Sequence, residues 1–317
     1  MKPLVLVALM APASAGAFTL DLPVDCVVPG QCFIQNYQDR DPGPGAADYT
    51  CAPLSYDGHS GTDFALPTTA AMQKGVAVLA AAPGVVAGVR DGMEDLAQNS
   101  PDAPDVRGRE CGNGLVIDHE GGWQTQYCHM AKGSLRVRSG QSVAAGTPLG
   151  LIGLSGQTEF PHLHLAVRRN GVEIDPFDPD GEAACGPGPV APLWSAPLAY
   201  APGGLIGAGF AADVPSWPAV RAGLPQAGLT RTAPALVLWV HYFGNRQGDD
   251  LHLTITGPDG VVIEETLVLD RTQAQAFRAI GKRLRAPQWA AGRYEGTAVL
   301  KRAGATIGTL TVSMEMD

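Results

Sequence analysis

The sequence predicts a mainly β protein with two domains, and its length, composition and linker pattern support this prediction. A length of 317 residues allows about two domains. The 40 glycines and 26 prolines separate short apolar runs, which is typical of strands joined by turns. A segment rich in Pro, Gly and Ala at 181–203 divides these runs into two groups. We interpret it as a linker between a first domain at 55–180 and a second at 204–317.

Residues 1–17 have the pattern of a secretory signal peptide. Lys2 gives a positive start, an apolar run extends to Met10, and small residues from Ala13 to Ala17 offer cleavage sites. The run is too short to cross a bilayer as a helix, and no later stretch predicts a transmembrane segment. We therefore expect a periplasmic or extracellular product.

Net charge and cysteine content narrow the class of protein further. A net charge of -9 argues against a nucleic-acid partner, which requires a basic face. Six cysteines in an exported chain predict disulfides, although the sequence alone leaves their pairing open. Residues 18–54 read as an irregular, extended arm that Cys26, Cys32 and Cys51 would staple.

Strands and turns follow in order through the first domain. Residues 76–81 and 84–89 read as short strands, and the polar stretch 91–110 reads as an insertion loop. Residues 113–119 and 123–130 predict a hairpin about Glu120-Gly121-Gly122, with His119 as a solvated loop residue. Cys111 and Cys128 fall near opposite each other on this hairpin, which makes them the preferred disulfide. Further turn-strand units at 137–152 precede the strand discussed next.

The run Pro161-His162-Leu163-His164 reads as a strand that carries two histidines on one side. Side chains two residues apart in a strand point to the same side, so both imidazoles face one place. An apolar core would leave two polar rings to satisfy, whereas a metal or a substrate cleft would use them. The pair alone does not decide between these alternatives.

Two upstream motifs favour a metal site. His59 and Asp63 lie four residues apart, and because Gly58 and Gly61 disfavour a helix, we expect a loop entering a strand that brings both side chains to one point. His129 closes the second strand of the predicted hairpin, two residues after Tyr127. Taken alone, His59 and Asp63 would also fit an ordinary surface turn.

Together these motifs resemble the lysostaphin/LytM-type zinc peptidases. The likeness covers about residues 55–178 and lies in the order of His59-x-x-x-Asp63, Tyr127-x-His129, the Gly150-x-x-Gly153 turn, Pro161-His162-Leu163-His164 and the closing Asp175-Pro176. The resemblance implies a compact antiparallel β-sheet metallopeptidase domain with a groove, one Zn2+ per chain, and cleavage of peptide bonds in peptidoglycan.

Residue by residue, the resemblance implies that His59, Asp63 and His164 hold the zinc and that His129 and His162 are catalytic. Three protein ligands leave a fourth position open, as catalytic zinc requires. The chain has no His-Glu-x-x-His motif and hence no glutamate base of that type. Imidazoles titrate near neutral pH and could supply the proton transfer and the oxyanion donor, in an order that the sequence leaves open.

One stretch departs from the family pattern. Small residues are usual just before the His-x-His strand, but this chain has Thr158-Glu159-Phe160. These side chains would narrow or charge the rim of the groove, and the loop at 91–110 could cover it. Both features put the family's usual peptide specificity in doubt without touching the metal site.

The sequence of the second domain predicts an immunoglobulin-like β-sandwich. Strands are expected at 236–243, 251–256, 261–269, 293–300 and 307–314, with a helical turn at 216–222. His241 and His252 are isolated, and we interpret them as strand residues. No chemistry is visible here, so the domain is either a module that binds the wall or a protein partner, or a spacer.

The sequence therefore predicts a secreted zinc metalloendopeptidase that acts on peptidoglycan cross-links or stem peptides. The main alternative is a catalytically silent LytM-fold regulator that activates another cell-wall hydrolase. Silent members would be expected to lack ligands, whereas this chain keeps all the expected site residues. A third alternative is a secreted protein that binds carbohydrate or protein and holds an incidental metal.

Overall fold

A computed structural model describes residues 17–181, 191–225 and 228–317. The predicted signal peptide, apart from residue 17, lies outside the described residues, as do Cys185 and the middle of the predicted linker. Within the described ranges no helix is long and apolar enough to cross a membrane.

The first domain is built around one antiparallel sheet. Its strands are β1 (Phe33–Asn36), β2 (Thr62–Ala65), β3 (Ala77–Leu79), β4 (Gly84–Arg90), β5 (Asn113–Asp118), β6 (Trp123–Met130), β7 (Ser142–Val143), β8 (Pro148–Leu151), β9 (His162–Arg169) and β10 (Val172–Glu173). The main sheet has the order β1-β2-β9-β6-β5-β4-β7, β10 pairs with β9, and β3 pairs with β8 in a small second sheet. A short helix, α1, spans Thr69–Gln73. The expected antiparallel first domain is confirmed.

Strand β9 lies near the centre of the main sheet and separates core from site. Leu163, Leu165 and Val167 alternate along it and are fully buried in the hydrophobic core. Because neighbouring side chains in a strand point to opposite faces, His162 and His164 lie on the other face. The apolar residues therefore fix the register that presents both histidines together.

The predicted hairpin is present, and so is its disulfide. Strand β5 pairs antiparallel with β6, and Cys111 is bonded to Cys128 with a Cα–Cα distance of 4.7 Å. A second disulfide, Cys26–Cys32, staples the N-terminal arm. The loop at 91–110 contains neither helix nor strand, as expected.

The prediction for His119 was wrong. Its side chain is largely buried, and its two ring nitrogens lie 2.8 Å from the carbonyl oxygen of Pro83 and 2.8 Å from Oγ1 of Thr125. The residue therefore ties the hairpin to the start of β4 instead of facing solvent. The N-terminal arm also differs from its expected form, because its segment Phe33–Asn36 pairs with β2 as an edge strand.

The second domain is a two-sheet sandwich, as expected. Its strands are β11 (Gly204–Ala211), β12 (Ala235–Asn245), β13 (Asp250–Gly257), β14 (Gly260–Val268), β15 (Gln273–Arg283), β16 (Gly292–Arg302) and β17 (Ala305–Met316), and its helix α2 spans Trp217–Ala222. One sheet has the order β11-β12-β15 and the other β14-β13-β16-β17. Apolar side chains of both sheets form a single core between them.

The end of the predicted linker lies against the first domain. Leu193 and Trp194 are buried in that domain's core. The amide of Leu193 donates to the carbonyl of Pro176, and the amide of Leu20 donates to the carbonyl of Leu193. The domain limits taken from the sequence stay a prediction.

Candidate metal centre

Three adjacent strands bring the predicted site residues together. In the pairing of β2 with β9, Asp63 lies directly opposite His164. In the pairing of β9 with β6, His164 lies opposite Cys128, the residue before His129. His59 lies in the loop that enters β2, as the glycines around it predicted. All the predicted site residues therefore meet on one face of the sheet.

His59, Asp63 and His164 offer one ligand atom each at a common point. Nε2 of His59 lies 3.1 Å from Oδ1 of Asp63 and 3.1 Å from Nδ1 of His164. Nδ1 of His164 lies 2.9 Å from the same carboxylate oxygen. Two imidazole nitrogens and a carboxylate oxygen are a donor set that zinc accepts, so these three residues could hold a metal ion.

The N-terminal arm orients two of these side chains. Nδ1 of His59 lies 2.6 Å from the carbonyl oxygen of Tyr37, which can only accept, so this nitrogen carries a proton and Nε2 is the ring nitrogen that faces Asp63 and His164. The side-chain amide of Asn36 donates through Nδ2 to Oδ2 of Asp63 at 3.0 Å. Outer hydrogen bonds of this kind fix the tautomer and orientation of metal ligands.

Gly61 is required because the backbone passes close to the His164 ring. A Cβ at this position would lie 2.8 Å from Nε2 of His164 and 2.5 Å from the carbonyl oxygen of Leu165. Real Cβ atoms essentially never come this near a backbone oxygen. The glycine between His59 and Asp63 thus makes room for the third residue of the cluster.

His129 enters the site from an unusual backbone conformation. Its φ of 62° lies in the left-handed region, which costs free energy for a residue with a side chain. The amide of His129 donates to the carbonyl of Cys111, whose disulfide to Cys128 pins the same turn. Nδ1 of His129 donates to the carbonyl of Ser155 at 2.8 Å, which leaves Nε2 free of the proton.

His162 lies beside His129 and contacts the carboxylate of Asp63. The two rings have centroids 4.7 Å apart, and Nε2 of His162 lies 3.3 Å from Oδ1 of Asp63. Nδ1 of His162 donates to the carbonyl of Phe160 at 2.9 Å. Both histidines therefore use Nδ1 for a backbone carbonyl and point Nε2 away from that partner.

The electrostatics favour an ionised Asp63 and act in opposite directions on the neighbouring rings. Burial alone would raise the pKa of Asp63, but the charges of His59 and His162 outweigh it and hold this pKa well below its usual range. Burial lowers the pKa of His129 well below its ordinary value and also lowers that of His164. Burial acts in the same direction on His59, but Asp63 outweighs it and raises this pKa. Metal binding requires the ionised carboxylate and the neutral imidazoles.

A cleft of about 710 Å³ opens beside the cluster. Gln98, Asp105, Val106 and Arg107 from the insertion loop line it together with Thr158, Glu159 and Phe160, so both expected rim features are present. A second cleft of about 410 Å³ continues past His59 and His164. The two clefts share Tyr56, His129 and Gln157. The candidate centre thus lies along an extended groove.

Sequence reasoning missed several residues at the site. Asn36 and Tyr37 orient the candidate ligands, and Tyr56 lies with its ring centroid 4.5 Å from that of His59. Trp217 and Arg221 of the second domain also line the larger cleft. The signal available for Tyr56 was its position three residues before His59. The other four are distant in sequence, and only the packing of the arm and the second domain brings them here.

Comparison with known proteins supports the expected family. Residues 57–176 match Peptidase family M23. Peptidoglycan DD-endopeptidase ShyA of Vibrio cholerae is 35% identical over 117 residues, which cover 37% of this chain and 22% of the relative. DD-carboxypeptidase/endopeptidase Mpg of Neisseria meningitidis is 29% identical over 120 residues, with the same two coverages of 37% and 22%. The chain therefore spans less than a quarter of the length of these relatives.

Among solved structures, one similar chain is the catalytic domain of the prophage-encoded M23 protein EnpA from Enterococcus faecalis. It is 23% identical and covers 46% of this chain and 89% of its own, with a TM-score of 0.32.

Proposed function

Because residues 57–176 match peptidase family M23, we propose that this chain is a zinc endopeptidase that hydrolyses peptide bonds in peptidoglycan. The observation that carries the proposal is the meeting of His59, Asp63 and His164 at one point, with His129 and His162 beside them. Relatives named as peptidoglycan DD-endopeptidases support the choice of substrate. The scissile bond lies in a cross-link or a stem peptide.

We assign one zinc ion to Nε2 of His59, Oδ1 of Asp63 and Nδ1 of His164. The hydrogen bonds from Asn36 and to the carbonyl of Tyr37 support this choice of atoms, because they occupy the other oxygen of Asp63 and the other nitrogen of His59. When bound, zinc polarises a carbonyl group and lowers the pKa of a water ligand to about 7.

His129 and His162 serve proton transfer and oxyanion binding in this proposal. Each ring donates its Nδ1 proton to a backbone carbonyl, so each Nε2 accepts a proton when neutral and donates one when protonated. Their ring centroids lie 4.7 Å apart, so both rings can act on the same substrate group.

The substrate requires export of the chain. The signal-peptide pattern of residues 1–17 supports a periplasmic or extracellular location, where peptidoglycan lies. The extended groove supports a peptide ligand, since its two clefts run past both sides of the cluster.

Digestion of purified peptidoglycan tests the proposal. We expect the full chain to release or shorten cross-linked peptides, as seen by mass analysis of the fragments. A chelator should stop the reaction, and added zinc should restore it. Asp63→Ala is the matched inactive variant. If the wall stays intact but a separate wall hydrolase becomes more active in the presence of the chain, the silent regulator is the correct function.

A further inference from the structure

The second domain forms one wall of the larger cleft. Asp63, His129 and His162 line the cleft from the first domain. Trp217, Arg221 and the start of β15 line it from the second. A domain that carries no candidate catalytic residue thus helps to enclose the space where substrate would bind.

Polar contacts fix this wall to the first domain. The side chain of Gln35 donates to the carbonyl of Ala274 at 2.8 Å, and Gln275 donates to Gln35 Oε1 at 3.0 Å. The rings of Phe33 and Phe243 pack beside them with centroids 4.4 Å apart. The second domain is therefore docked at the edge strand β1, next to the site.

Aromatic packing fixes helix α2 within the wall. The ring of Trp217 lies parallel to that of Phe277, with centroids 5.8 Å apart. It also meets His241 edge-on at 5.3 Å. Gly223 is the C-cap of α2 and packs closely against the start of α1. A Cβ at this position would lie 2.9 Å from Oγ1 of Thr68. The position of α2 relative to the cleft is thus set on several sides.

Arg221 lines the cleft with a guanidinium whose N–H donors are unpaired among the described residues. Its guanidinium lies 5.7 Å from the centre of the Trp217 ring, and the residue is half-buried. Among the described residues, no carboxylate lies within 4.0 Å of it, and its guanidinium makes no hydrogen bond. Burial lowers its pKa and the charge of Glu159 partly offsets this. By contrast, Arg107, which also lines the cleft, is already paired with Asp105.

We propose that Arg221 is a specificity residue that binds a carboxylate group of the peptide substrate. The planar guanidinium donates in a fork that matches a carboxylate, and its interaction with the Trp217 ring limits its motion. This inference rests on the proposed function, since it assumes that the cleft holds a peptide. It assigns the second domain a part in substrate choice.

The test compares substrates with and without the carboxylate. Cross-linked muropeptides are prepared from purified peptidoglycan, and one portion has its carboxylates converted to carboxamides. For the wild-type chain we expect kcat/KM to be about 10- to 100-fold higher for the carboxylate form, chiefly through KM, as for a charge-assisted hydrogen bond. Equal rates for the two forms would overturn the inference and leave the proposed function intact.

Variants then assign the preference to one residue. Arg221→Gln keeps most of the side-chain stem and should lose most of the preference, whereas Arg221→Lys should restore part of it. Arg293→Ala is the matched control, because Arg293 is an exposed arginine of the same domain whose partner is Glu295. An equal loss by Arg221→Gln on both substrate forms would show a structural role only, and would overturn the assignment.

A binding measurement separates the two proposals. Affinity of the wild-type chain for the two muropeptide forms is measured by calorimetry under conditions without turnover. Preferential binding of the carboxylate form that Arg221→Gln abolishes supports the inference even if the chain cleaves neither form, in which case the proposed function fails alone. Binding without preference overturns the inference.

Discussion

The side-chain amide of Asn36 donates to Oδ2 of Asp63 at 3.0 Å. Oδ1 of the same carboxylate faces His59, His162 and His164. Asn36 lies in an arm that the sequence presented as irregular. It occupies an edge strand opposite Asp63 and holds the carboxylate in one orientation.

Replacing Asn36 with Ala should weaken zinc binding. Loss of an outer hydrogen bond to a ligand costs about 10- to 100-fold in metal affinity. Competition with a chelator of known affinity measures the change. Gln124→Ala is the control, since that amide is hydrogen-bonded to Asp118 at the other end of β6. Unchanged zinc affinity in Asn36→Ala would show that Asp63 needs no support.

Replacing Gly61 with Ala should displace His164. The added methyl would meet the ring and a backbone oxygen at 2.8 and 2.5 Å. We expect a loss of about 1–3 kcal/mol in the free energy of unfolding, together with reduced zinc content. Gly88→Ala is the matched control, because nothing lies within 4 Å of a Cβ there. Thermal unfolding measures the stability of both variants, and elemental analysis measures their zinc content.

The sequence predicted the centre of the fold better than its edges. The alternation in β9 and the hairpin before it are local patterns. The shared face of His162 and His164 followed from the first, and the preference for a Cys111–Cys128 bond followed from the second. Strand β11 was missed because Gly204–Ala211 is rich in glycine and lacks alternation. Strand β15 was missed because Gln273–Arg283 has few β-branched or aromatic residues and carries Gln, Lys and Arg among its alanines.

Contacts between distant segments could not be predicted. Asn36 reaches Asp63 only because β1 pairs with β2, and Arg221 reaches the cleft only because the second domain docks on the first. Neither contact has a spacing or a motif that would reveal it.

Removing the disulfide of the hairpin should destabilise the site. The bond joins residues 17 apart, and the chain-entropy estimate for such a loop is about 3 kcal/mol. We expect this loss in urea unfolding of Cys111→Ala/Cys128→Ala, with lower activity because His129 follows the bond directly. For Cys26→Ala/Cys32→Ala, whose separation is 6, the estimate is about 2 kcal/mol. A hairpin variant as stable and active as the wild type would refute this role.

Asp175 should make stability fall as the pH rises. Burial raises its pKa from 3.8 to about 6, and the nearby Asp178 adds to this while Arg40 opposes it. The folded chain therefore holds this proton more tightly than the unfolded chain. Its stabilising effect is complete below pH 3.8 and is lost as the pH rises to about 6, a difference of about 3 kcal/mol.

Asp175→Asn removes this dependence while Oδ1 can still accept from the amide of Phe177. Relative to the wild type, the variant should gain about 3 kcal/mol in unfolding free energy between about pH 4 and about pH 7. Chemical denaturation at a series of pH values measures the gain. A constant difference between the two proteins across this range would show that Asp175 titrates normally.

The central claim is the division of roles within the cluster, and zinc content measured beside hydrolysis rate tests it most directly. His164→Ala should lose most bound zinc and all measurable hydrolysis of peptidoglycan, as should the variants of His59 and Asp63. His129→Ala and His162→Ala should keep close to one zinc per chain and lose a factor on the order of a hundred or more in rate. A folded but zinc-free His129→Ala, or a fully active His162→Ala, would contradict the account.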